Sequence, residues 1–307
     1  MHAVTAYSIR CHNSDAGRKN KGENSYHYLN KIGGYDLFNL LNSFIGGAKE
    51  YVTIKETKQV YKFEPKISDA KKRIVSGWLE YGHYGIESDI INIRNNETEF
   101  EKKTDNADMT KYFYLFWVPA NSRDGVALFH TVRSDGTKSV FQKQFRPYLE
   151  RYTRRSLQLN PLSFDSILQE WANAETKEIV AMRLKTPNDI ADIPFLSGDI
   201  HTNFTIKPHK NKSLGPFRNL LKPGTPEAKL VEELDEIGDD VKVLLQLGDR
   251  QRSFRIGKKS RRGNTEVVVP DTVELIGGVP EFNSMYNWTV SVLDDFRTRL
   301  YPNVEGL

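Results

Sequence analysis

Cysteine is nearly missing from this chain: Cys11 is the only one in 307 residues. A single thiol can form neither an internal disulfide nor a cysteine-built zinc site. Long hydrophobic runs are missing as well. The longest, Phe113-Tyr114-Leu115-Phe116-Trp117-Val118 and Val241-Lys242-Val243-Leu244-Leu245, are strand-sized, against the roughly 20 apolar residues a membrane-spanning helix needs. The first residues, Met1 to Tyr7, lack the charged-then-apolar layout of a secretory signal. These absences set the expectation of a protein of the reducing cytoplasm.

Signatures of cofactor chemistry are also scarce. No glycine-rich phosphate loop follows a strand, and Gly257-Lys258-Lys259-Ser260 lacks both the upstream glycine and a helix behind it. Histidines 2, 12, 27, 83, 130, 201 and 209 show no close paired spacing on a helix, so no metal site and no cofactor is expected. A metal-dependent nuclease needs carboxylates with a nearby lysine to hold the ion and orient water. Glu56-Thr57-Lys58 and Glu64-Pro65-Lys66 match that spacing, but one falls in a turn and the other carries a strand-breaking proline. Enzymatic activity is therefore not the leading expectation.

What the sequence does contain is core-forming material, with 38% hydrophobic and 11% aromatic residues. Its length suits two packed halves, which we place at 1–160 and 161–307. Asp36 precedes Leu37, Leu40, Leu41 and Phe44, an apolar stripe at helical spacing closed by Gly46-Gly47. Alternating segments from Val52 to Val132 predict strands. Among them, 73–81 and 86–93 flank a turn at Gly82 to Gly85, and 111–118 reads as the centre of a sheet. Thr137 to Arg154 predicts the longest helix of this half, kinked or divided at Pro147. A meander at Val241–Leu247, Ser253–Ile256 and Glu266–Val269, then a helix from Asn283 to Leu300, close the chain. Strand ribbons without a regular βαβ alternation predict an α+β fold, with largely antiparallel, strand-rich sheets and peripheral helices.

Charge is segregated along this framework. The ribbon from Asp249 to Arg262 holds seven cations (Arg250, Arg252, Arg255, Lys258, Lys259, Arg261, Arg262) against one acid. Lys207, Lys210, Lys212, Arg218 and Lys222 form a second basic stretch, and between the two lies an acidic block from Glu227 to Asp240. The long helix adds Lys138, Lys143, Arg146, Arg151, Arg154 and Arg155 against Glu150. Lysine and arginine at such density suit phosphates, with affinity supplied mainly by charge. Tyr148 and Tyr152 of the helix could stack on bases, or complete the core.

Three stretches carry a family resemblance: Gly77 to Gly85, Tyr112 to Val118, and Arg255 to Lys259 running on to Gly278-Val279-Pro280. Through them the chain resembles domain-of-unknown-function proteins found in bacterial phage-defence islands. The resemblance implies a role in restricting foreign DNA or RNA, beside an enzyme or membrane partner. The expected function is thus nucleic-acid binding by a recognition or regulatory component of an antiviral system. Its candidate residues are Arg250, Arg252, Arg255, Lys258, Lys259, Arg261, Arg262, Lys143, Arg146, Arg151, Arg154, Arg155, Lys210 and Lys212. The alternatives are a homo-oligomeric scaffold whose acidic block meets the basic ribbon of a neighbour, and a nuclease with an unrecognised site. A nucleic-acid or protein partner is expected, and no direct membrane insertion.

Overall fold

A computed structural model of the chain describes residues 2–12, 25–132, 135–162, 171–182, 203–210, 212–238, 240–248, 250–256 and 266–300. The fold is α+β, with antiparallel strands dominating. Among the described residues no helix is long and apolar enough to cross a membrane. The chain divides into two compact units: Tyr7–Asn160 with Glu274–Val290, and Pro161–Val273 with Met1–Ala6 and Ser291–Pro302.

The first unit is built on strands β1 (His2–His12), β2 (Val52–Ile54), β3 (Gln59–Asp69), β4 (Ile74–His83), β5 (Ser88–Asn92), β6 (Glu97–Lys102), β7 (Asp108–Trp117) and β8 (Gly125–Val132), with a two-residue β9 (Asp135–Gly136). Its sheet runs β1-β8-β7-β4-β3-β2, and β10 (Ser156–Pro161) also pairs with β1. As expected, β7 lies inside the sheet, between β4 and β8, and Tyr112 to Val118 is buried throughout. The turn at Gly82–Gly85 does not join a hairpin, because β4 already pairs with β3 on one side and β7 on the other. Strand β5 pairs instead with β6, in a two-stranded sheet of its own.

Helices α1 (Leu37–Gly47) and α2 (Lys138–Thr153) cover one face of this sheet. Asp36 caps α1 by accepting from the Phe38 N–H at 2.9 Å. Helix α2 is continuous although Pro147 lies inside it and cannot donate to the Lys143 carbonyl. An interior proline costs about 3 kcal/mol. Burying Phe141, Phe145 and Leu149 outweighs that, at roughly 1.5–3 kcal/mol for each large apolar side chain. Phe141 stacks on Phe116 at 4.7 Å, and Phe44 meets Phe145 at 5.1 Å, so both helices lock into one aromatic core. On the other sheet face, Trp78 and Phe113 pack against Phe282, near the start of α5 (Phe282–Leu300).

The second unit orders its antiparallel strands as β12-β11-β13-β14-β15-β1, with β11 at Glu175–Met182, β12 at Phe204–Ile206, β13 at Asp240–Leu247, β14 at Arg250–Ile256 and β15 at Glu266–Val268. The expected meander is thus present, and it is closed by Ala3, Val4 and Thr5 of β1 against β15. Its helices are α3 (Phe217–Leu221) and α4 (Pro226–Ile237), the latter capped by the Thr225 hydroxyl. Trp171, Phe217 and Phe254 form its aromatic centre. The short hairpin β16 (Leu275–Ile276) with β17 (Val279–Pro280) precedes α5. The sequence also predicts a helix capped by Ser163, an irregular crossing at Pro187 and Pro194 and a hairpin tip from Gly257 to Asn264, all of which lie outside the described residues.

Candidate nucleic-acid interface

The structure sorts the candidate cations by what packs across them. Arg252 is not a surface residue. Its Nε donates to Asp295 Oδ2 at 3.2 Å and its Nη2 to Ser291 Oγ at 3.0 Å, and both charged side chains are only about a tenth exposed. Arg255 is buried as well, on the opposite pleat beside Lys242. Strand alternation puts Arg252 and Arg255 on opposite faces of β14, and both faces are covered, so neither arginine is presented to a ligand. The Arg250 side chain and Lys258, Lys259, Arg261 and Arg262 lie outside the described residues. Lys210 and Lys212 are exposed, whereas Lys207 ion-pairs with Glu178 at 2.9 Å.

Helix α2 behaves differently. Its inner stripe is Phe141, Phe145 and Leu149, so the 3.6-residue period turns Lys143, Arg146, Glu150 and Arg154 outward, with Arg151 at their edge. Arg146 pairs with Glu150 one turn on, at 2.9 Å. Lys143, Arg151 and Arg154 are exposed, and none of the three has an ion-pair partner among the described residues. Arg154 ends the helix in the left-handed conformation, φ 54°, while the Thr153 hydroxyl donates back to Leu149 O at 2.8 Å. Arg155 is half-buried near Cys11, where its positive charge partly offsets the burial that pushes the thiol up to about 12.

A loop missing from the sequence-based expectation wraps this helix end. Gly33 and Gly34 both have positive φ and turn the chain between Ile32 and Tyr35, whose backbones exchange hydrogen bonds of 2.7 and 3.0 Å. A side chain at Gly33 would place Cβ 3.3 Å from the Thr153 carbonyl, so glycine permits the close approach. The turn sets the Tyr35 ring edge-to-face with Tyr152, centroids 5.9 Å apart, and each residue is 42% exposed. Tyr148 lies behind them, half-buried, 4.9 Å from Tyr152. Tyr28, 45% exposed at the start of the same loop, carries the Arg123 guanidinium over its ring at 4.9 Å. Lys31 is exposed between them. Exposed tyrosine rings thus stand at this loop and helix end, Tyr35 against Tyr152, and Tyr28 under the Arg123 guanidinium. Two tyrosines flanking Gly33-Gly34 were the available sequence signal.

Of the residues weighed for metal chemistry, Glu64 is committed to neighbouring lysines. Glu64 ion-pairs with Lys66 at 2.6 Å and with Lys111 at 3.2 Å, and these lysines hold its carboxyl below the usual range. Glu56 lies in the one-turn 3₁₀ segment between β2 and β3. Among the described residues no three His, Cys, Asp or Glu side chains cluster closely enough to hold a metal ion. His130 is fully buried, with its Nδ1 facing the Phe113 N–H at 3.3 Å. Compared with protein-family models, curated proteins and solved structures, the chain matches none.

Proposed function

We propose that this chain binds single-stranded nucleic acid at the C-terminal end of α2. The observation that carries the reading is the exposed Tyr35–Tyr152 pair at the end of α2, where Arg151 and Arg154 are exposed as well. Open aromatic faces attract unpaired bases at about 1–3 kcal/mol per stacked base, and duplexes keep their bases out of reach. The neighbouring cations supply the phosphate attraction that steers and holds the strand. Such binding fits recognition within a bacterial antiviral system, the role implied by the resemblance carried by Gly77 to Gly85, Tyr112 to Val118 and Arg255 to Pro280.

Fluorescence anisotropy with labelled single strands of DNA and RNA, and with the matching duplexes, tests this reading. Single strands bind more tightly than duplex, affinity falls with salt, and Tyr35→Ala with Tyr152→Ala weakens binding about tenfold or more, the worth of one lost stack. Absence of binding at about 50 mM salt, or binding indifferent to salt, overturns it. In a phage-challenged bacterial host the same double variant abolishes any protection that the intact chain gives.

A further inference from the structure

The aromatic stripe of α2 passes from the core to the surface within four side chains. Phe141, Phe145, Tyr148 and Tyr152 follow at steps of four, three and four residues, so they lie along one side of the helix. Phe141 and Phe145 are 1% and 0% exposed, Tyr148 is half-buried, and Tyr152 is 42% exposed. Each ring meets the next. Centroids are 5.2 Å apart for Phe141–Phe145, 6.2 Å for Phe145–Tyr148 and 4.9 Å for Tyr148–Tyr152. The first two pairs are stacked, with 24° between their planes, whereas the planes of Tyr148 and Tyr152 make 51°. Stacking stops where the column leaves the core.

Two helices hold Tyr148. Phe145 stacks on it from α2, and Phe44 of α1 meets it at 5.3 Å; both phenylalanines are buried. Tyr152 has no such enclosure. The rings it meets are Tyr148 and Tyr35, and Tyr35 stands on the Gly33-Gly34 loop, itself 42% exposed. Of these two neighbours, Tyr148 is the one packed against the core. The difference matters for a stacking platform. An exposed side chain changes rotamer within picoseconds to nanoseconds, and a ligand that stacks on it has first to order it.

We propose that Tyr148 is a positioning residue, which holds the Tyr152 ring in the orientation that stacks an unpaired base. The inference rests on the reading of this helix end as a nucleic-acid site. Ordering a mobile side chain costs about two- to tenfold in affinity, which is ~0.5–1.5 kcal/mol at about 1.4 kcal/mol per tenfold. Tyr148 removes that cost before the strand arrives. Its ring does the holding, since Phe44, Phe145 and Tyr152 all meet it ring to ring.

A single strand carrying 2-aminopurine, whose fluorescence is quenched on stacking, tests this role in the full chain. Tyr148→Phe keeps the ring, and it binds and quenches as the intact protein does. Tyr148→Leu keeps an apolar side chain without a ring, so affinity falls about two- to tenfold and quenching weakens. Phe116 is buried, and its ring meets Tyr114, Phe129 and Phe141 rather than Tyr148 or Tyr152. Phe116→Leu therefore leaves affinity and quenching unchanged, which separates positioning from a general loosening of the core. In a double-mutant cycle, Tyr148→Leu adds nothing to the effect of Tyr152→Ala. Should Tyr148→Leu fail to fold by circular dichroism, Phe44→Leu, which removes a ring from behind Tyr148, takes its place with the same expected loss. Intact affinity and quenching in the ringless variant overturn the proposal, as does an additive cycle or an equal loss in Phe116→Leu. In those outcomes Tyr152→Ala still weakens binding, and the nucleic-acid reading stands. An intact chain that binds no oligonucleotide, or a Tyr152→Ala chain that binds as the intact one does, overturns that reading and the positioning role together.

Discussion

Helix α2 and strand β14 carry comparable positive charge in sequence, yet they dispose of it in opposite ways. In α2 the aromatic stripe commits one face to the core, and the helical period leaves its cations in water. In β14 both pleats are covered, so Arg252 becomes half of a nearly buried ion pair with Asp295, and Arg255 is enclosed. A tally of charges therefore says where phosphates could be held only after the cover on each face is known. The difference also separates two kinds of importance: arginines that hold the unit together and arginines that are available to a partner.

That contrast can be broken by mutation. The largest effect is expected for Arg252→Ala, which strands Asp295 in a nearly dry site. Loss of about 3–5 kcal/mol is expected, read as a lower urea midpoint. Asp295→Ala should match it, whereas an effect near that of a surface charge would place Arg252 with the α2 group after all. Next comes Cys11. Its thiol is raised from 9.0 to about 12 by burial, so the stability it contributes is complete below pH 9 and lost as pH rises through about 12. The intact chain should lose stability across that window more steeply than Cys11→Ala, as followed by denaturant midpoints.

Smaller effects are expected on the open face. Lys143→Gln, Arg151→Gln and Arg154→Gln together should leave stability within about 0.5 kcal/mol per site. They should also lower the salt slope of oligonucleotide binding by about 0.7 for each phosphate no longer neutralised. A large fall in stability instead would erase the distinction from β14. The smallest effect is Arg146→Ala, which removes an exposed pair with Glu150 worth about 0.3–0.5 kcal/mol. Thermal melting at low and high salt should show that increment vanish as salt rises.

Much of the fold was legible because local signals agreed with tertiary ones. Asp36 caps the helix whose stripe follows it, and the unbroken apolar run at Tyr112–Val118 is an inner strand. The failures have physical causes. Gly82–Gly85 looks like a hairpin turn, but β4 has no free edge, so β5 was left to pair with β6 through the Asn95-Asn96 turn. Pro147 signals a break that burial of Phe141, Phe145 and Leu149 overrides. At the site, the helical period of α2 accounts for the exposure of Lys143, Arg146 and Arg154. Alternation on β14 could not reveal that Asp295, forty-three residues later, would claim Arg252. Tyr35 follows a Gly-Gly turn signal, but only the folded turn brings it to Tyr152.

Strand β1 has a kinetic consequence. Its residues Ala3, Val4 and Thr5 pair with Val268, Val267 and Glu266, so this strand meets that neighbour only after about 260 further residues have been made. At about 5–20 residues per second on the ribosome, the segment waits many seconds with an unpaired, largely apolar edge. Pairings so distant in sequence also slow refolding, because the loop must close before pairing stabilises anything. A refolding yield that falls with protein concentration is the expected consequence of an edge whose partner lies so far along the chain.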